Sequence, residues 1–273
     1  MIIQKGRIMS LEMRSFVVDK LKVKIFKDRK ALGQAAGKTV AGKMREILQD
    51  QKELFVVFAA APSQNEFLEE LSSRSGMDWG RVAAFHLDEY LGLPDTAPQS
   101  FGHFLRVRLF EKVRPGRVHY LNGMAEDPTK ECDRYAALFK DRPFDIACIG
   151  IGENGHLAFN DPHVADFNDP VTIKVVELDL VSRQQQVNDR SFQNLESVPR
   201  KAITLTMPAI FSAKFIYCMV PAITKAEAVR KTLEGPITTD CPATILRRHE
   251  NATLFLDQDS AKFISDFGLK IGD

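Results

Sequence analysis

The sequence predicts an α/β fold with a doubly wound, mostly parallel sheet and helices on both faces. Apolar runs of strand length recur along the chain, and several are almost continuously hydrophobic, as strands covered on both faces should be. Segments with helical periodicity separate these runs, and regular alternation of strands and helices indicates a parallel, Rossmann-like sheet. A chain of 273 residues can form one such unit, so we expect a single domain over residues 1–273.

The elements are assigned from these patterns in chain order. Six apolar runs are predicted to be strands: residues 54–61, 82–87, 146–151, 172–178, 215–220 and 252–256. Four stretches are predicted to be helices: residues 28–48, 63–71, 128–139 and 224–233. Asp28 fits the N-cap of the first helix, and Ser63 with Glu66 fits a capping box at the start of the second. The polar segment 181–200 fits a mobile lid and a surface helix equally well.

Composition and charge argue against several classes of protein. The chain carries 37 Lys and Arg residues against 36 Asp and Glu residues, so we expect no nucleic-acid partner. The four cysteines form no CxxC pair, which argues against a zinc finger and favours free thiols. The first residues lack the features of a signal peptide, and the longest apolar run, residues 54–62, is far shorter than the roughly 20 residues that span a bilayer. We therefore expect a cytoplasmic protein with no membrane partner.

The strongest chemical motif is GIGENGHLAFNDP, residues 150–162, which follows the predicted strand 146–151. Its glycines permit tight turns and a close approach of the backbone to a ligand. His156 can exchange protons near neutral pH, and Asp161 can orient the imidazole or share its proton. Gly-x-Gly-x-x-Gly alone would suggest a dinucleotide site, but the motif lies in mid-chain and the acidic residue expected about 20 positions later is poorly matched. A Gly-rich turn with a structural His is the alternative.

A second motif, FHLDEYLGLP at residues 85–94, carries the adjacent carboxylates Asp88 and Glu89 directly after the predicted strand 82–87. Ligands bind at the carboxyl ends of parallel strands, so a carboxylate there is well placed to abstract a proton from a carbon next to a carbonyl. Adjacent side chains point in different directions, and we expect only one of the two to face a substrate. A solvated acidic turn is the alternative.

Together these two segments resemble the signature segments of the glucosamine-6-phosphate deaminase/isomerase family, which is related to the 6-phosphogluconolactonases. Residues 85–94 are similar to the family's Asp-Glu-Tyr-x-Gly-Leu segment, and residues 150–162 to its Gly-x-Gly-x-Asp/Asn-Gly-His-x-x-Phe-Asn-Glu-Pro segment. Further similarity at residues 99–101, 198–206 and 225–226 extends the resemblance from about residue 50 to about residue 255.

The resemblance implies an amino-sugar-phosphate deaminase/isomerase, an enzyme with hydrolase and aldose–ketose isomerase chemistry. Such an enzyme opens the sugar ring, moves a proton from C2 to C1, and releases ammonia and a ketose 6-phosphate. Asp88 matches the family's proton-transferring base and His156 its ring-opening residue, with Asn154 and Asp161 as helpers. Whether the amino sugar has the gluco or galacto configuration is left open.

The resemblance also implies how the substrate is held. Lys225 and Arg190 match cations that bind the substrate phosphate, and Ser63 and Gly155 are further candidates for binding it. No metal or organic cofactor is implied. The expected partner is a small-molecule sugar phosphate, and homo-oligomers are among the assemblies that the family forms.

The sequence departs most from the family at residues 58–64, FAAAPSQ, where many members carry a Thr-Gly-Gly-Thr-Pro-like phosphate loop. Backbone amides of a glycine loop at a helix N-terminus form an anion site, whereas Pro62 has no amide hydrogen to offer. Asp161 is a second departure, since many members have Glu there, which is longer by one methylene.

Two alternatives remain open. A 6-phosphogluconolactonase-type hydrolase would share the Gly-x-Gly-x-Asp-Gly-His core, but that family lacks the Asp-Glu-Tyr segment and resembles this chain less after His156. A non-catalytic sugar-phosphate sensor would account for the altered loop at 58–64, but it would not need Asp88 and His156.

Overall fold

The structure is a computed structural model that describes residues 12–140 and 142–265. The expectations for residues 1–11 and 266–273, including the absence of a signal peptide and the full extent of the domain, lie outside the described residues. The strands are β1 (Glu12–Val18), β2 (Leu21–Phe26), β3 (Leu54–Phe58), β4 (Val82–His86), β5 (Asp88–Tyr90), β6 (Arg117–His119), β7 (Ile146–Ile149), β8 (Ile173–Glu177), β9 (Lys201–Leu205), β10 (Phe215–Val220) and β11 (Ala252–Asp257).

The helices are α1 (Arg29–Asp50), α2 (Asn65–Ser73), α3 (Phe101–Leu105), α4 (Glu111–Val113), α5 (Pro128–Ala137), α6 (Leu180–Asn188), α7 (Met207–Phe211) and α8 (Ala226–Glu234). A π-helical turn, Arg106–Phe110, joins α3 to α4, and two 3-10 turns, Pro62–Gln64 and Ile223–Lys225, precede α2 and α8. None of the helices in the described ranges is long and apolar enough to cross a membrane.

The main sheet has the strand order β1-β2-β11-β10-β7-β3-β4-β6. β1 and β2 pair antiparallel at one edge, and the other neighbouring pairs are parallel. Alternate residues of the central strands feed two separate apolar clusters: Val57 and Ile149 belong to one, Val56 and Cys148 to the other. Because alternate side chains point to opposite faces, both faces are covered. The predicted α/β fold with a mostly parallel sheet is confirmed.

The run 172–178 forms a strand, as predicted, but not in the main sheet. It becomes β8, which pairs antiparallel with β9 in a separate three-stranded sheet of order β5-β9-β8. Val175 and Glu177 are exposed on β8, whereas β3, β4 and β7 of the main sheet are buried throughout. A strand with one open face is typical of antiparallel sheets, which explains the different location.

The first long helix, α1, begins at the predicted N-cap, since Asp28 Oδ1 accepts a hydrogen bond from the Ala31 amide at 2.7 Å. It packs closely against α2 because two glycines face that helix. A Cβ atom at Gly33 would lie 2.5 Å from the Cβ of Glu66, and one at Gly37 would lie 2.8 Å from the Cβ of Glu70. This contact fixes α2 and the turn that precedes it.

The predicted capping box at the start of α2 is wrong. Ser63 lies inside the 3-10 turn Pro62–Gln64, and α2 begins at Asn65 with no side-chain cap. Glu66 instead pairs with the guanidinium of Arg29, with Nε and Oε1 2.7 Å apart. The ion pair takes the carboxylate that a capping box would have used.

Candidate active site

A cleft opens at the carboxyl ends of the central strands, where ligands bind in open parallel sheets. Its cavity volume is about 130 Å³. The segments that follow β3, β4, β7 and β10 line it, together with the carboxyl-terminal half of α6. The first part of the polar segment 181–200 is thus helical and contributes to the cleft, and its role as a mobile lid stays a prediction.

Asp88 is the first residue of β5 and lines this cleft with only 5% of its surface exposed. Its position in the backbone is held because β5 pairs with β9, with Asp88 opposite Thr204. Burial, reinforced by the charge of Glu89, raises the pKa of the Asp88 carboxyl well above its usual value. A carboxyl group with a raised pKa beside a cleft suits proton transfer, since it can take up and return a proton.

The neighbouring carboxylate, Glu89, points away from the cleft. It accepts hydrogen bonds from Ser100 Oγ at 2.8 Å and from the amides of Phe101 at 3.0 Å and Gly102 at 2.9 Å. Its own successor Tyr90 donates a fourth, at 3.0 Å. Glu89 therefore anchors the start of α3, where the positive end of a helix favours an anion, and Asp88 is the only one of the two that lines the cleft.

The glycine turn after β7 places His156 in the cleft. The imidazole lies directly over Gly152, because a Cβ atom at residue 152 would be only 2.2 Å from the ring. Gly155 has a left-handed φ of 87° and sits against Cys241, whose Sγ would lie 2.5 Å from a Cβ atom there. Gly155, a predicted phosphate ligand, is thus placed behind the cleft and shapes the turn.

The imidazole of His156 is oriented by a buried carboxylate. His156 Nδ1 lies 3.0 Å from Asp161 Oδ1, and Asn154 Nδ2 donates to the same oxygen at 2.9 Å. The Asp179 amide donates to Asp161 Oδ2 at 3.2 Å. Burial alone would raise the pKa of Asp161, but the bonds from His156 and Asn154 lower it overall. An ionised Asp161 keeps the proton on Nδ1 and leaves Nε2 for a ligand.

Lys225 ends the 3-10 turn after β10 and lines the cleft, with 5% of its surface exposed. Its Nζ atom has no hydrogen-bond partner within the part of the chain that the structure describes. Burial lowers the pKa of Lys225, against the opposing effect of Asp189 and Glu153. A buried, unpaired ammonium group is costly unless an anion joins it, so Lys225 marks an anion position.

Of the two remaining predicted binding residues, Ser63 and Arg190, the structure places only one in the cleft. Ser63 lines the cleft, as Lys225 does. Arg190 does not: it is exposed, has a left-handed φ of 59°, and lines an adjoining groove with Gln99. Arg29, which sequence reasoning missed, lines the cleft instead, although its guanidinium is paired with Glu66. Its location directly after the Asp28 N-cap, at the end of β2, was the available signal.

Gln64 and Asp189 were also missed by the motif analysis, and both line the cleft. Gln64 is buried and its Nε2 donates to the Met219 carbonyl at 3.2 Å, which fixes the orientation of its amide. Its Oε1 then has no partner in residues 12–140 and 142–265. Ser63, which also lines the cleft, adds a hydroxyl group, whereas Pro62 in the same loop has no amide hydrogen to offer.

Ala222, just before Lys225, has φ 84° and ψ 148°, a region that glycine occupies almost alone. Its amide donates to both carboxylate oxygens of buried Asp257, at 3.1 and 3.0 Å, which holds the strained turn in place.

We expect Ala222→Gly to raise the free energy of unfolding by about 1 kcal/mol in urea titrations, because the strain is relieved. Ala35→Gly inside α1 is the matched control and should lower it by about 1 kcal/mol. A loss of stability in both would contradict the strain.

One cluster has the composition of a metal site: ligand atoms of Asp161, His163 and Asp179 lie within 4.8 Å of one another. However, Asp161 already holds His156 and Asn154, and Asp179 Oδ1 caps α6. These oxygens are committed to the hydrogen-bond network around the His156 imidazole, so we assign Asp161 and Asp179, but not His163, an orienting role.

The chain is similar, in sequence and in structure, to known proteins of one family. The family model described as glucosamine-6-phosphate isomerases/6-phosphogluconolactonase matches residues 27–255. A glucosamine-6-phosphate deaminase of Exiguobacterium sibiricum is 37% identical over 228 residues, 84% of this chain and 88% of the relative. The structure is similar to that of a monomeric glucosamine-6-phosphate deaminase, with a TM-score of 0.80 and 31% identity over 88% of this chain and 98% of that one.

A 6-phosphogluconolactonase from Shewanella baltica shares the fold, with a TM-score of 0.73 and 19% identity over 89% of this chain and 100% of that one. At that identity the likeness concerns the fold alone.

The family model and the 37% identical relative confirm the resemblance that the two signature segments indicated. The chain belongs to the glucosamine-6-phosphate isomerase/6-phosphogluconolactonase family.

Proposed function

We propose that the protein is an amino-sugar-phosphate deaminase/isomerase that converts glucosamine 6-phosphate, or its galacto isomer, to the ketose 6-phosphate and ammonia. One observation carries the proposal: a buried carboxyl group, an oriented imidazole and an unpaired ammonium group line the same cleft. Asp88, His156 and Lys225 supply these three groups. The relatives that are 37% identical to this chain are glucosamine-6-phosphate deaminases, which supports this reaction over lactone hydrolysis.

Ring opening is assigned to His156. With Asp161 holding Nδ1–H, the lone pair on Nε2 takes the proton of the anomeric hydroxyl, and the same proton is returned to the ring oxygen as the C1–O5 bond breaks. Asp161 stabilises the imidazolium that forms between these two transfers, and Asn154 holds Asp161 in place through the 2.9 Å bond. The product is an open-chain aldehyde, which makes the proton on C2 more acidic.

Proton transfer between carbons is assigned to Asp88. Its carboxylate removes the C2 proton to give an enolamine whose negative charge lies on O1, and the resulting acid delivers that proton to C1. A proton of the amino group passes to O1, which leaves a hydroxyl group on C1 and a ketimine at C2. Water then adds to the ketimine carbon, and the C–N bond breaks to release ammonia and the ketose. The hydrolytic step is this last one, and the aldose–ketose isomerisation precedes it.

Substrate anchoring is assigned to Lys225 and Ser63 within the cleft, with Arg190 joining from the adjoining groove. We expect Lys225→Ala to raise KM for the phosphorylated sugar about tenfold or more, because a charge-assisted hydrogen bond is lost. Steady-state kinetics should show little effect on residual activity toward the unphosphorylated sugar. Lys231→Ala, at an exposed position of α8, which follows that turn, is the control and should leave KM unchanged. Equal losses on both sugars would count against the phosphate role.

The function is tested by incubating the protein with a panel of amino-sugar 6-phosphates and 6-phosphogluconolactone while measuring ammonia and lactone hydrolysis. Ammonia release from one amino sugar identifies the substrate. Lactone hydrolysis without ammonia would replace the proposal with the lactonase function, and ligand-induced stabilisation without turnover of any compound would replace it with a sensor. A cytoplasmic location and homo-oligomerisation stay predictions.

A further inference from the structure

His86 is the last residue of β4, two positions before Asp88, and it is completely buried. The chain crosses from the main sheet to the small sheet at Leu87. The Leu87 amide donates to the Phe58 carbonyl in the main sheet at 3.2 Å, and the Leu87 carbonyl accepts from the Leu205 amide in the small sheet at 2.9 Å. The position of Asp88 therefore depends on the geometry of this crossing.

Each nitrogen of the His86 ring is hydrogen-bonded to a backbone group that can play only one role, acceptor or donor. Nδ1 lies 2.9 Å from the carbonyl oxygen of Asp88, and Nε2 lies 2.9 Å from the amide nitrogen of Leu121. A carbonyl can only accept a hydrogen bond and an amide can only donate one. The ring must therefore be neutral, with its proton on Nδ1 donating to Asp88 and its lone pair on Nε2 accepting from Leu121.

The surroundings of the ring fit this neutral form. Burial lowers the pKa of His86, against the opposing effects of Glu89 and Glu131. The Tyr135 hydroxyl accepts from the His86 amide at 3.0 Å and donates to the His86 carbonyl at 2.9 Å, so the backbone of His86 is itself fixed. A rigid ring on a rigid backbone can transmit its geometry to the residue that it bonds.

We propose that His86 is a positioning residue whose Nδ1–H holds the Asp88 peptide so that the carboxyl group faces the cleft. His86 does not line the cleft, so it acts through Asp88, and the inference rests on the proposed role of Asp88 in proton transfer. Small displacements of a reacting group can cost up to about 100-fold in rate. The effect of losing the bond should therefore appear in kcat rather than in KM.

Two substitutions separate the two ring nitrogens. An Asn side chain can place an N–H near the position of Nδ1 but cannot reach Leu121, whereas a Gln side chain can place an acceptor near Nε2 without the donor to Asp88. We expect His86→Gln to lower kcat about tenfold or more with KM within about twofold of wild type. His86→Asn should keep kcat within about threefold, while its thermal stability falls because the Leu121 amide loses its partner.

Tyr135→Phe is the control for a general loss of stability in this region. It removes the hydroxyl that bonds the His86 backbone but keeps the imidazole with both of its bonds and the pairing of His86 with Phe58 of β3, which still holds the backbone, so it should lower stability and leave kcat within about threefold. Equal kcat values in the Gln and Asn variants, with wild-type activity intact, would overturn the positioning role. Absence of ammonia release by wild type on any amino-sugar phosphate would instead overturn the proposed function.

A measurement on the wild-type protein tests the same bond without any variant. Nitrogen-15 NMR of the histidine-labelled protein at neutral pH should show His86 as the neutral tautomer with its proton on Nδ1. A proton on Nε2, or an imidazolium, would overturn the assignment even if none of the variants could be purified.

Discussion

Asp88→Asn is expected to reduce ammonia release by a factor between about 100 and 10,000, with KM changed little. The amide has nearly the shape of the carboxyl group but cannot accept the C2 proton. Asp88 is the carboxyl group of the 85–94 motif that lines the cleft, at the start of a strand fixed by its pairing with β9. Steady-state kinetics of the variant, together with a substrate-analogue binding assay, would separate loss of chemistry from loss of binding.

Glu89→Gln is the informative comparison for Asp88→Asn. The Glu89 carboxylate accepts four hydrogen bonds, and an amide would turn an NH2 group toward at least one of those donors. We expect a clear loss of stability without the selective loss of kcat. A Glu89→Gln variant that folds normally but cannot turn over, beside an active Asp88→Asn variant, would show that the wrong carboxylate was assigned.

The raised pKa of Asp88 has consequences for both activity and stability. The base must be ionised to act, so kcat/KM should rise with pH through a pKa above the usual value of about 3.9 for Asp. A pKa that is higher in the folded than in the unfolded chain means that the folded state binds the proton more tightly. The contribution of Asp88 to stability is therefore greatest below the unfolded pKa and declines as pH rises to the folded pKa. At neutral pH, Asp88→Asn should be more stable than wild type.

His156→Ala is expected to lower kcat by a factor on the order of 100 or more, the usual scale for a general acid–base group. Without the imidazole the sugar ring of the substrate stays closed, and Asp161 loses a hydrogen-bond partner. Supplying the open-chain sugar analogue should restore part of the lost rate, because ring opening is the step assigned to His156. A variant with turnover close to wild type on the closed sugar would exclude that role.

Two further substitutions test whether the position of the imidazole matters as well as its presence. In Gly152→Ala the new Cβ atom would lie 2.2 Å from the ring and must displace it, so kcat should fall although His156 remains. His163→Ala is the matched control on the same loop: His163 is exposed and contacts the Glu177 carbonyl. Its kcat should match wild type.

The sequence predicted the elements whose pattern depends on burial alone. The continuous apolar runs that became β3, β4, β7, β10 and β11 could be found because both faces are covered. The hairpin β1–β2 was not predicted, because β1 lies at the sheet edge and alternates exposed and partly buried residues. The sequence predicted β8 as a strand but not the sheet to which it belongs. Which strands pair depends on tertiary contacts that the local pattern does not show.

The same limit applies to the site. Asp88 and His156 stand in motifs with an unusual local composition, and the structure brings them to one cleft, because each follows the carboxyl end of a parallel strand of the main sheet, β4 or β7. Asp189 and Gln64 carry no motif, and only the packing of α6 and of the 3-10 turn places them there. His86 had no assigned role, because its two bonds reach Asp88 and Leu121, and the second is 35 residues away.

The central claim, that Asp88 moves a proton between C2 and C1 of an amino-sugar phosphate, is tested most directly by turnover in deuterated water followed by NMR. Wild-type protein should release ammonia and exchange the C2 hydrogen of the substrate with solvent, with deuterium also appearing at C1 of the ketose. Asp88→Asn should bind the substrate and show no exchange at C2. Exchange by Asp88→Asn at the wild-type rate would contradict the account.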